Sequence, residues 1–182
     1  MIVEKTAIPG DVEIYPDVFN DERGYFFESF RDTTFSDKGL PSIFRQVNQA
    51  SSQKDVIRGL HYQLEYPQGK LIRVISGRIR DVAVDIRKRS PTYGHYEISQ
   101  LTDKNNKMLY IPEGFAHGYI VESDLAVVEY KCTDIYVPDD QFGINWKDSE
   151  LNIPWGISTP ILSEKDKKLP YLKEQKYLPT YK

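Results

Sequence analysis

Histidines are the residues of this sequence best suited to move protons, and two of them lie in segments that otherwise resemble β-strands. His61 stands in VIRGLHYQ (residues 56–63) and His117 stands in IPEGFAHGYIV (residues 111–121). The ordinary pKa of imidazole lies close to neutral pH, so the side chain can accept or donate a proton under physiological conditions. We therefore expect acid–base chemistry or ligand binding here, with a histidine that simply packs in the core as the alternative for each.

Other candidate side chains occur along the chain, and each also has an ordinary structural explanation. Lys70 follows a PQG turn, where a solvated lysine is common, and Tyr130 falls in the regular alternation of a strand. Asp166 has capping-box spacing in SEKD (residues 163–166), so capping a short helix is one role open to it. Arg23 enters a strand from a loop, where a surface charge is usual.

A functional metal site is not indicated. A metal in a β-barrel generally needs three or four His, Asp, Glu or Cys ligands, often with two histidines close together on one strand. Gln63 stands where an H-x-H pair would place the second histidine after His61. The sequence also has no phosphate-binding G-x-x-x-x-G-K, no dinucleotide-binding G-x-G-x-x-G and no nucleophile elbow.

Length and composition predict one soluble globular domain over residues 1–182, with 40% hydrophobic and 28% charged residues. The net charge of −3 gives no reason to expect nucleic-acid binding. No run approaches the roughly 18–20 apolar residues that span a membrane, and the N-terminus lacks the features of a secretory signal. Cys132 is the only cysteine, so we expect no disulfide within the chain and a cytoplasmic location.

Short alternating segments closed by Gly, Pro, Asn or Asp predict an antiparallel sandwich or barrel. In residues 69–87, strands on either side of Ser76-Gly77 predict a two-residue hairpin. Asp81 and Asp85 share one face of the second strand, which is either solvated or lines a polar cavity. The predicted strands are Gly24–Phe30, Phe44–Asn48, Leu71–Ile75, Arg78–Ile86, Gly94–Leu101, Lys107–Ile111, Phe115–Val121 and Ala126–Thr133. Short helices are predicted over residues 32–38 and from residue 163.

Taken in order, these segments resemble the dTDP-4-dehydrorhamnose 3,5-epimerases, a cupin-type family of sugar-nucleotide epimerases. The matching segments are DERGYFFESF (21–30), RQVNQASSQKDVIRGLHYQ (45–63), PQGKLIRVISGRIRDVAVDIRKRSPTYG (67–94), IPEGFAHGYI (111–120) and YKCTDIYVP (130–138), followed by INWKDSELNIPW and LSEKD. The resemblance covers nearly the whole chain. It implies an all-β fold, the double-stranded β-helix or cupin jelly-roll barrel with a few short helices, and a homodimer without metal or organic cofactor.

The resemblance also implies a reaction, the inversion of carbons 3 and 5 of a 4-keto-6-deoxyglucose carried on dTDP. Both carbons are α to the keto group, so each inversion removes a proton from one face and returns a proton to the other. By resemblance, His61 is the base, with Asp166 fixing its tautomer and orientation. Tyr130 is the acid that reprotonates carbon 5, and Lys70 stabilises the enolate oxygen.

A second set of residues is implied to bind the substrate: Arg23, Phe26, Glu28, Gln46, Asn48, Arg58, His117 and Tyr136. Arginine suits a diphosphate because its planar guanidinium can pair bidentately with phosphate oxygens. We further hypothesise that Asp85 orients His117. Departures from the family pattern, such as Ala50 where a serine is common, leave the implied base, acid and lysine unchanged.

Arg58 and His61 are three residues apart, so a regular strand would send their side chains to opposite faces. If both serve one cavity, the strand must be irregular between them. Gly59 is the residue type that permits a bulge. We therefore predict a break near Gly59, and a flat strand through residues 57–62 would contradict it.

Three other functions remain open from the sequence. One is an epimerase that inverts only one carbon or acts on a different nucleotide-linked keto-sugar, although Tyr130 opposes a carbon-3 enzyme that has lost the second acid. Another is a ketoisomerase that moves the keto group between carbons 4 and 3. The last is a catalytically silent module that only binds a sugar nucleotide.

Overall fold

Antiparallel strands dominate the computed structural model, which describes residues 1–181. The strands are β1 (Ile2–Lys5), β2 (Val12–Tyr15), β3 (Phe19–Asp21), β4 (Gly24–Phe26), β5 (Gln46–Gln53), β6 (Ile57–Gln63), β7 (Lys70–Ser76), β8 (Arg78–Asp85), β9 (Tyr96–Thr102), β10 (Met108–Ile111), β11 (Phe115–Val121), β12 (Leu125–Cys132) and β13 (Gln141–Gly143). The helices are α1 (Asp32–Asp37) and three 3₁₀ turns, Pro138–Asp140, Asp166–Lys168 and Leu172–Glu174. None of the helices within residues 1–181 has the length and apolar character needed to cross a membrane.

The strands form two large sheets and a separate hairpin. The six-stranded sheet has the order β1-β2-β10-β7-β12-β5, the five-stranded sheet has the order β13-β6-β11-β8-β9, and β3 pairs with β4. One buried cluster takes side chains from both large sheets, including Ile72, Leu109 and Val128 from the first and Ala83, Phe115 and Val121 from the second. The sheets therefore face each other across a shared interior, and the predicted all-β jelly-roll class is confirmed.

The predicted hairpin at Ser76-Gly77 is wrong. Gly77 has φ +86°, as a tight turn requires, but β7 and β8 belong to different sheets. β7 lies between β10 and β12, and β8 lies between β11 and β9. A turn residue specifies a change of direction and not the partner of the strand that follows. Both strands are mostly buried, and each has two neighbours within its own sheet, so the turn carries the chain from one sheet to the other.

The strand boundaries follow the sequence where apolar alternation is strong. β11 matches its prediction, Phe115–Val121, whereas β4 ends at Phe26 and short of Phe30. β5 begins at Gln46 and continues to Gln53, well past the predicted end at Asn48. Its sequence QVNQASSQ has little apolar character, and the strand is specified by pairing with β12 along its whole length.

The segment after β13 covers the outer face of the five-stranded sheet. Ile144, Leu151 and Trp155 pack with Val82 and Val84 in a second buried cluster. Burial of such apolar side chains is the main force that holds an irregular segment in place. This segment carries Asp166 to the edge of the interior, next to β6.

Candidate active site

A cavity of about 580 Å³ opens into the interior between the two large sheets. The predicted site residues that line it are Gln46, Asn48, Arg58, His61, Lys70, His117, Tyr130, Tyr136 and Asp166. They come from β5, β6, β7, β11 and β12, from the loop after β12 and from the 3₁₀ turn at Asp166. Residues far apart in the sequence thus converge on one cavity.

His61 and Asp166 form a close pair at this cavity. His61 Nε2 lies 2.6 Å from Asp166 Oδ1, and the two side chains are 27% and 6% exposed. Burial acts to raise the pKa of Asp166, but the hydrogen bond and charge of His61, with further hydrogen bonds from Ser163 and Gly59, hold that pKa below its usual range. A carboxylate on one ring nitrogen leaves the other nitrogen of a neutral imidazole free to accept a proton.

The capping box predicted around Asp166 forms only in part. The backbone N–H of Asp166 donates to Ser163 Oγ at 3.0 Å, which is the first half of the motif. The carboxylate of Asp166 bonds His61 and does not complete the second half. Asp166 therefore begins a short 3₁₀ turn and contacts the histidine at the same time.

The irregularity predicted at Gly59 is present. The register between β6 and β11 shifts, since His117 pairs with His61 but Tyr119 pairs with Arg58. Gly59 has φ +121°, and a Cβ at this position would lie 2.5 Å from Gly118 Cα. Only glycine fits this close approach of the two strands. The shift allows both Arg58 and His61 to line the same cavity.

Lys70 and Tyr130 enter the cavity from the six-stranded sheet, across the interior from His61. Burial lowers the pKa of Lys70, and nearby Cys132 and Asp81 offset only part of this effect. Burial raises the pKa of Tyr130, with Arg58 acting in the opposite direction. The phenol is thus held in its protonated, proton-donating form. An ammonium in a poorly solvated cavity can stabilise a developing oxyanion strongly.

His117 is held by Asp81 and not by Asp85, so the hypothesised Asp85–His117 pair is wrong. His117 Nε2 lies 2.9 and 3.0 Å from the two oxygens of Asp81. In the β8–β11 ladder, Asp81 and Asp85 both lie diagonally from His117, so the register leaves either possible. Asp85 is occupied by donors from its own loop: Arg87, Ser90 and Thr92. Both aspartates are fully buried, so their face lines the interior and is not solvated.

The other lining residues form a polar wall. Arg58 Nε donates to Ser52 Oγ at 2.9 Å, which fixes the guanidinium at the cavity. Gln46 Nε2 donates to Asn48 Oδ1 at 2.9 Å, and the backbone N–H of Tyr136 donates to Gln46 Oε1 at 2.7 Å. This wall offers amide and guanidinium donors suited to phosphate and sugar oxygens.

Arg23, Phe26 and Glu28 do not line the cavity. Arg23 forms an exposed ion pair with Asp21 on the β3–β4 hairpin, and Phe26 is 69% exposed. Glu28 pairs with Arg31 just after the hairpin. Within one chain, these three residues are separate from the rest of the predicted site.

The sequence interpretation missed several residues of the site. Tyr119 lines the cavity from β11, and strand alternation with His117 does place it on that face. Gln141 and Lys165 also line it, and the Lys165 ammonium donates to Gln141 Oε1. No spacing rule identifies these two, because they meet only through the fold of the segment after β12. In residues 1–181, no group of three or more His, Cys, Asp or Glu side chains is arranged to hold a metal ion.

The arrangement can exchange protons on both faces of a bound carbon acid. A histidine paired with a carboxylate faces a half-buried tyrosine and a buried lysine from the opposite sheet. The model of the dTDP-4-dehydrorhamnose 3,5-epimerase family matches residues 5–174. A dTDP-4-dehydrorhamnose 3,5-epimerase from Shigella flexneri is 49% identical over 168 residues, which cover 91% of this chain and 93% of the relative.

Solved structures extend the similarity to the whole fold. The epimerase RmlC from Legionella pneumophila, in complex with dTDP-4-keto-L-rhamnose, is 41% identical with a TM-score of 0.96, covering 100% of this chain and 98% of that chain. ChmJ, a 3′-monoepimerase from Streptomyces bikiniensis in complex with dTDP-quinovose, is 32% identical with a TM-score of 0.91, covering 97% and 92%. The chain belongs to the dTDP-4-dehydrorhamnose 3,5-epimerase family.

Proposed function

We propose that this protein is a dTDP-4-dehydrorhamnose 3,5-epimerase, which converts dTDP-4-dehydro-6-deoxy-D-glucose to dTDP-4-dehydro-L-rhamnose. One observation carries the proposal: the imidazole of His61 and the phenol of Tyr130 enter the same cavity from opposite sheets. An inversion needs a base on one face of the sugar and an acid on the other. Lys70, from the sheet that carries Tyr130, supplies the positive charge that an enolate requires.

In the proposed reaction, His61 removes the proton from carbon 3 or carbon 5, and the electron pair of the C–H bond moves to the keto oxygen. Asp166 keeps the imidazole in the tautomer whose free nitrogen faces the sugar and stabilises the imidazolium that forms. Lys70 stabilises the enolate oxygen. At carbon 5, Tyr130 returns a proton to the opposite face when the enolate collapses. At carbon 3, solvent water returns the proton to the opposite face, and between the two inversions His61 releases its proton to solvent.

The polar wall binds the rest of the substrate. Arg58 pairs with the diphosphate, Gln46 and Asn48 donate to the diphosphate and sugar, and Tyr136 stacks on the thymine. His117, held by Asp81, contacts the sugar. We assign no metal or organic cofactor, because the base, the acid and the charge for the enolate are all side chains of this chain.

The proposal is tested by NMR of dTDP-4-dehydro-6-deoxy-D-glucose incubated with the enzyme in deuterated water. Double epimerisation places deuterium at both carbons and yields the L-rhamno configuration. Deuterium at carbon 3 alone would make the protein a monoepimerase, like ChmJ, and no deuterium would refute the proposal.

Tyr130→Phe is the matched variant for this experiment. It keeps the ring in the cavity and removes only the acidic proton. We expect it to incorporate deuterium and to fail to complete inversion at carbon 5. Normal inversion at both carbons would remove Tyr130 from its role as the acid.

The proposal includes a homodimer, in which the β3–β4 hairpin completes the site of a second copy. Phe19, Tyr25 and Phe26 are 65, 55 and 69% exposed, which is unusual for three aromatic side chains on one small hairpin. Arg23, Phe26 and Glu28 are the implied substrate ligands that lie outside the cavity of their own chain. An exposed aromatic hairpin that carries ligand residues is suited to reach a neighbouring cavity.

Mixed dimers test this part of the proposal. Arg23→Ala and His61→Ala are each expected to be poorly active, and a dimer of one with the other has one intact cavity if the hairpin serves its partner. Activity recovered after mixing and subunit exchange supports the shared site. No recovery, or a monomer in light scattering, would contradict it. We also propose a cytoplasmic location, which suits the buried free thiol of Cys132.

A further inference from the structure

One buried acid lies close to the active site without any role in the reaction described above. Asp11, just before β2, has 0% of its surface exposed, and neither carboxylate oxygen accepts a hydrogen bond within the described part of the chain. An ionised carboxylate in such a place loses its hydration and has no hydrogen bonds to replace it. A neutral carboxylic acid avoids most of this cost.

The fold places Asp11 next to the acid that holds His117. Ser99 Oγ donates to Glu13 Oε1 at 2.6 Å and so joins β9 to β2 across the interior. Ser99 lies directly opposite Asp81 in the β8–β9 ladder. Asp11 and Glu13 are two residues apart in an extended segment and point to the same side. Asp11, Glu13 and Asp81 therefore lie in one corner of the interior, close enough for the charges of the other two to act on Asp11.

The backbone of Asp11 is fixed in this corner. Its N–H donates to the carbonyl of Ile8 at 3.2 Å, and its carbonyl accepts from the N–H of Thr6 at 3.2 Å. The Thr6 hydroxyl is directed at the carbonyls of Ile8 and Asp11. The carboxyl group of Asp11 thus stays in the interior with the other acids.

The charges around Asp11 distinguish it from its neighbours. Glu13 has donors from Ser99, Tyr15 and Lys107 and stays ionised, with its pKa below the usual range despite burial. Asp81 is paired with His117. For Asp11, burial above all raises the pKa to about 7, and the nearby charges of Asp81, Glu97 and Glu13 add to the rise. The nearby Thr6 hydroxyl opposes this rise only in part, because it is directed at the backbone carbonyls of Ile8 and Asp11.

Asp81 has room for one more donor. Among residues 1–181, its two oxygens share a single partner, His117 Nε2, at 3.0 and 2.9 Å. An ionised carboxylate can accept about four hydrogen bonds. A neutral Asp11 carries an O–H that needs an acceptor, and the candidates are Asp81 and Glu97, because Glu13 already has three donors. Asp81 is fully buried whereas Glu97 is only half-buried, so an unused acceptor is costlier on Asp81.

We propose that Asp11 is a neutral carboxylic acid in the folded protein and donates its proton to Asp81, which makes it a positioning residue for the Asp81–His117 pair. The O–H of Asp11 holds Asp81 from one side while His117 holds it from the other. The imidazole then meets the sugar in one fixed orientation. The effect on turnover rests on the proposed epimerase function, whereas the proton on Asp11 does not.

The proton is tested by comparing wild type with Asp11→Asn, which keeps an N–H donor but cannot ionise. The folded-state pKa of Asp11 lies above that of an unfolded chain, about 4, so stability is highest below that value and falls as the pH rises to about 7. Asp11→Asn should lack this fall when denaturant unfolding is measured from pH 4 to 8. Infrared spectra at pH 5 should show a carboxylic-acid C=O band in wild type that is lost in Asp11→Asn. Parallel stability profiles, or no difference in the band, would overturn the proposal.

The positioning role is tested by a second variant, Asp11→Leu, which is similar in size but has no donor. Asp11→Asn should keep kcat and KM within about twofold, and Asp11→Leu should raise KM about tenfold with a smaller change in kcat, as the loss of one hydrogen bond of about 1.4 kcal/mol predicts. An equal rise in KM in both variants would overturn the positioning role. If wild type does not epimerise at all, the proposed function fails while the stability profiles and the infrared band still decide the protonation of Asp11.

Discussion

The protein contains two histidine–carboxylate pairs at one cavity, and they are built differently. His61 and Asp166 are 105 residues apart, meet through a single 2.6 Å contact and leave 27% of the histidine side chain exposed. His117 and Asp81 lie on adjacent strands, meet through two contacts near 3 Å, and are only 10 and 0% exposed. The same two functional groups therefore occur once at an accessible edge and once in a rigid interior.

The difference indicates a division of labour. A base must reach the reacting carbon and change its protonation state at every turnover, which requires access. A binding histidine performs best when its orientation is fixed in advance, because no ordering cost remains at the moment of binding. The difference therefore supports the proposed roles, proton transfer by the His61–Asp166 pair and sugar binding by the His117–Asp81 pair.

The largest expected effect comes from removing the base. His61→Ala should slow deuterium exchange at both carbons by about 10²–10⁴-fold, which is the usual contribution of a positioned general base. The measurement is the rate of deuterium uptake by NMR. The matched control is His117→Ala, which should chiefly raise KM. If His117→Ala stops exchange and His61→Ala does not, the two assignments must be reversed.

The second prediction concerns the strand contact between the two pairs. A Cβ on Gly59 would lie 2.7 Å from the carbonyl oxygen of His117 and 2.5 Å from Gly118 Cα, and its φ of +121° is unfavourable for any other residue. Gly59→Ala should cost about 2–4 kcal/mol in the free energy of unfolding, measured by denaturant titration. Gly24→Ala is a useful control, because φ is also positive there but no atom lies within 4 Å of the added Cβ. Equal losses in both variants would mean that the contact with β11 is unimportant.

The first pair was predictable from sequence only through resemblance, and the second was assigned to the wrong acid. Alternation in β8 does put Asp81 and Asp85 on the face that meets His117, but it cannot choose between two diagonal neighbours. The choice is made by Arg87, Ser90 and Thr92, which occupy Asp85. Such competition for donors depends on loop conformation, and no strand periodicity encodes it.

Other features show the same contrast between what a local sequence pattern predicts and what only the tertiary structure determines. The break at Gly59 was predictable because two nearby side chains had to share a cavity, and glycine is the residue that permits it. The pairing of the strands that flank Ser76-Gly77 was not predictable, because a turn is specified by local sequence whereas strand pairing depends on the whole fold. The position of Arg23 outside the cavity was also not predictable from the sequence, since a motif identifies a residue type without fixing where the fold places it.

The third prediction compares the two carboxylates. Asp166→Asn removes the charge that stabilises the imidazolium of His61, so kcat should fall about 10–100-fold, less than for loss of the base. Asp81→Asn should raise KM with little change in kcat, since its proposed role is to orient a histidine that binds the sugar. Steady-state kinetics of both variants measures the effects on kcat and on KM separately. A similar loss of kcat in both would indicate that the two pairs act in proton transfer together.

The smallest expected effect is on stability in acid, and it concerns Asp166. Its folded-state pKa is lowered, chiefly by the hydrogen bond and charge of His61 against the opposing effect of burial. A lowered carboxyl pKa stabilises the fold at pH values above the unfolded-state pKa of about 4, and this stabilisation is lost as the pH falls through the folded-state value. The difference in unfolding free energy between wild type and Asp166→Asn should therefore shrink as the pH falls below 4. Glu164→Gln is the control, since Glu164 is 79% exposed and pairs with Lys167 at the surface. If this difference in unfolding free energy does not change below pH 4, His61 stabilises the protonated and the ionised forms of Asp166 equally. That result would remove the electrostatic basis for the proposed proton transfer by this pair.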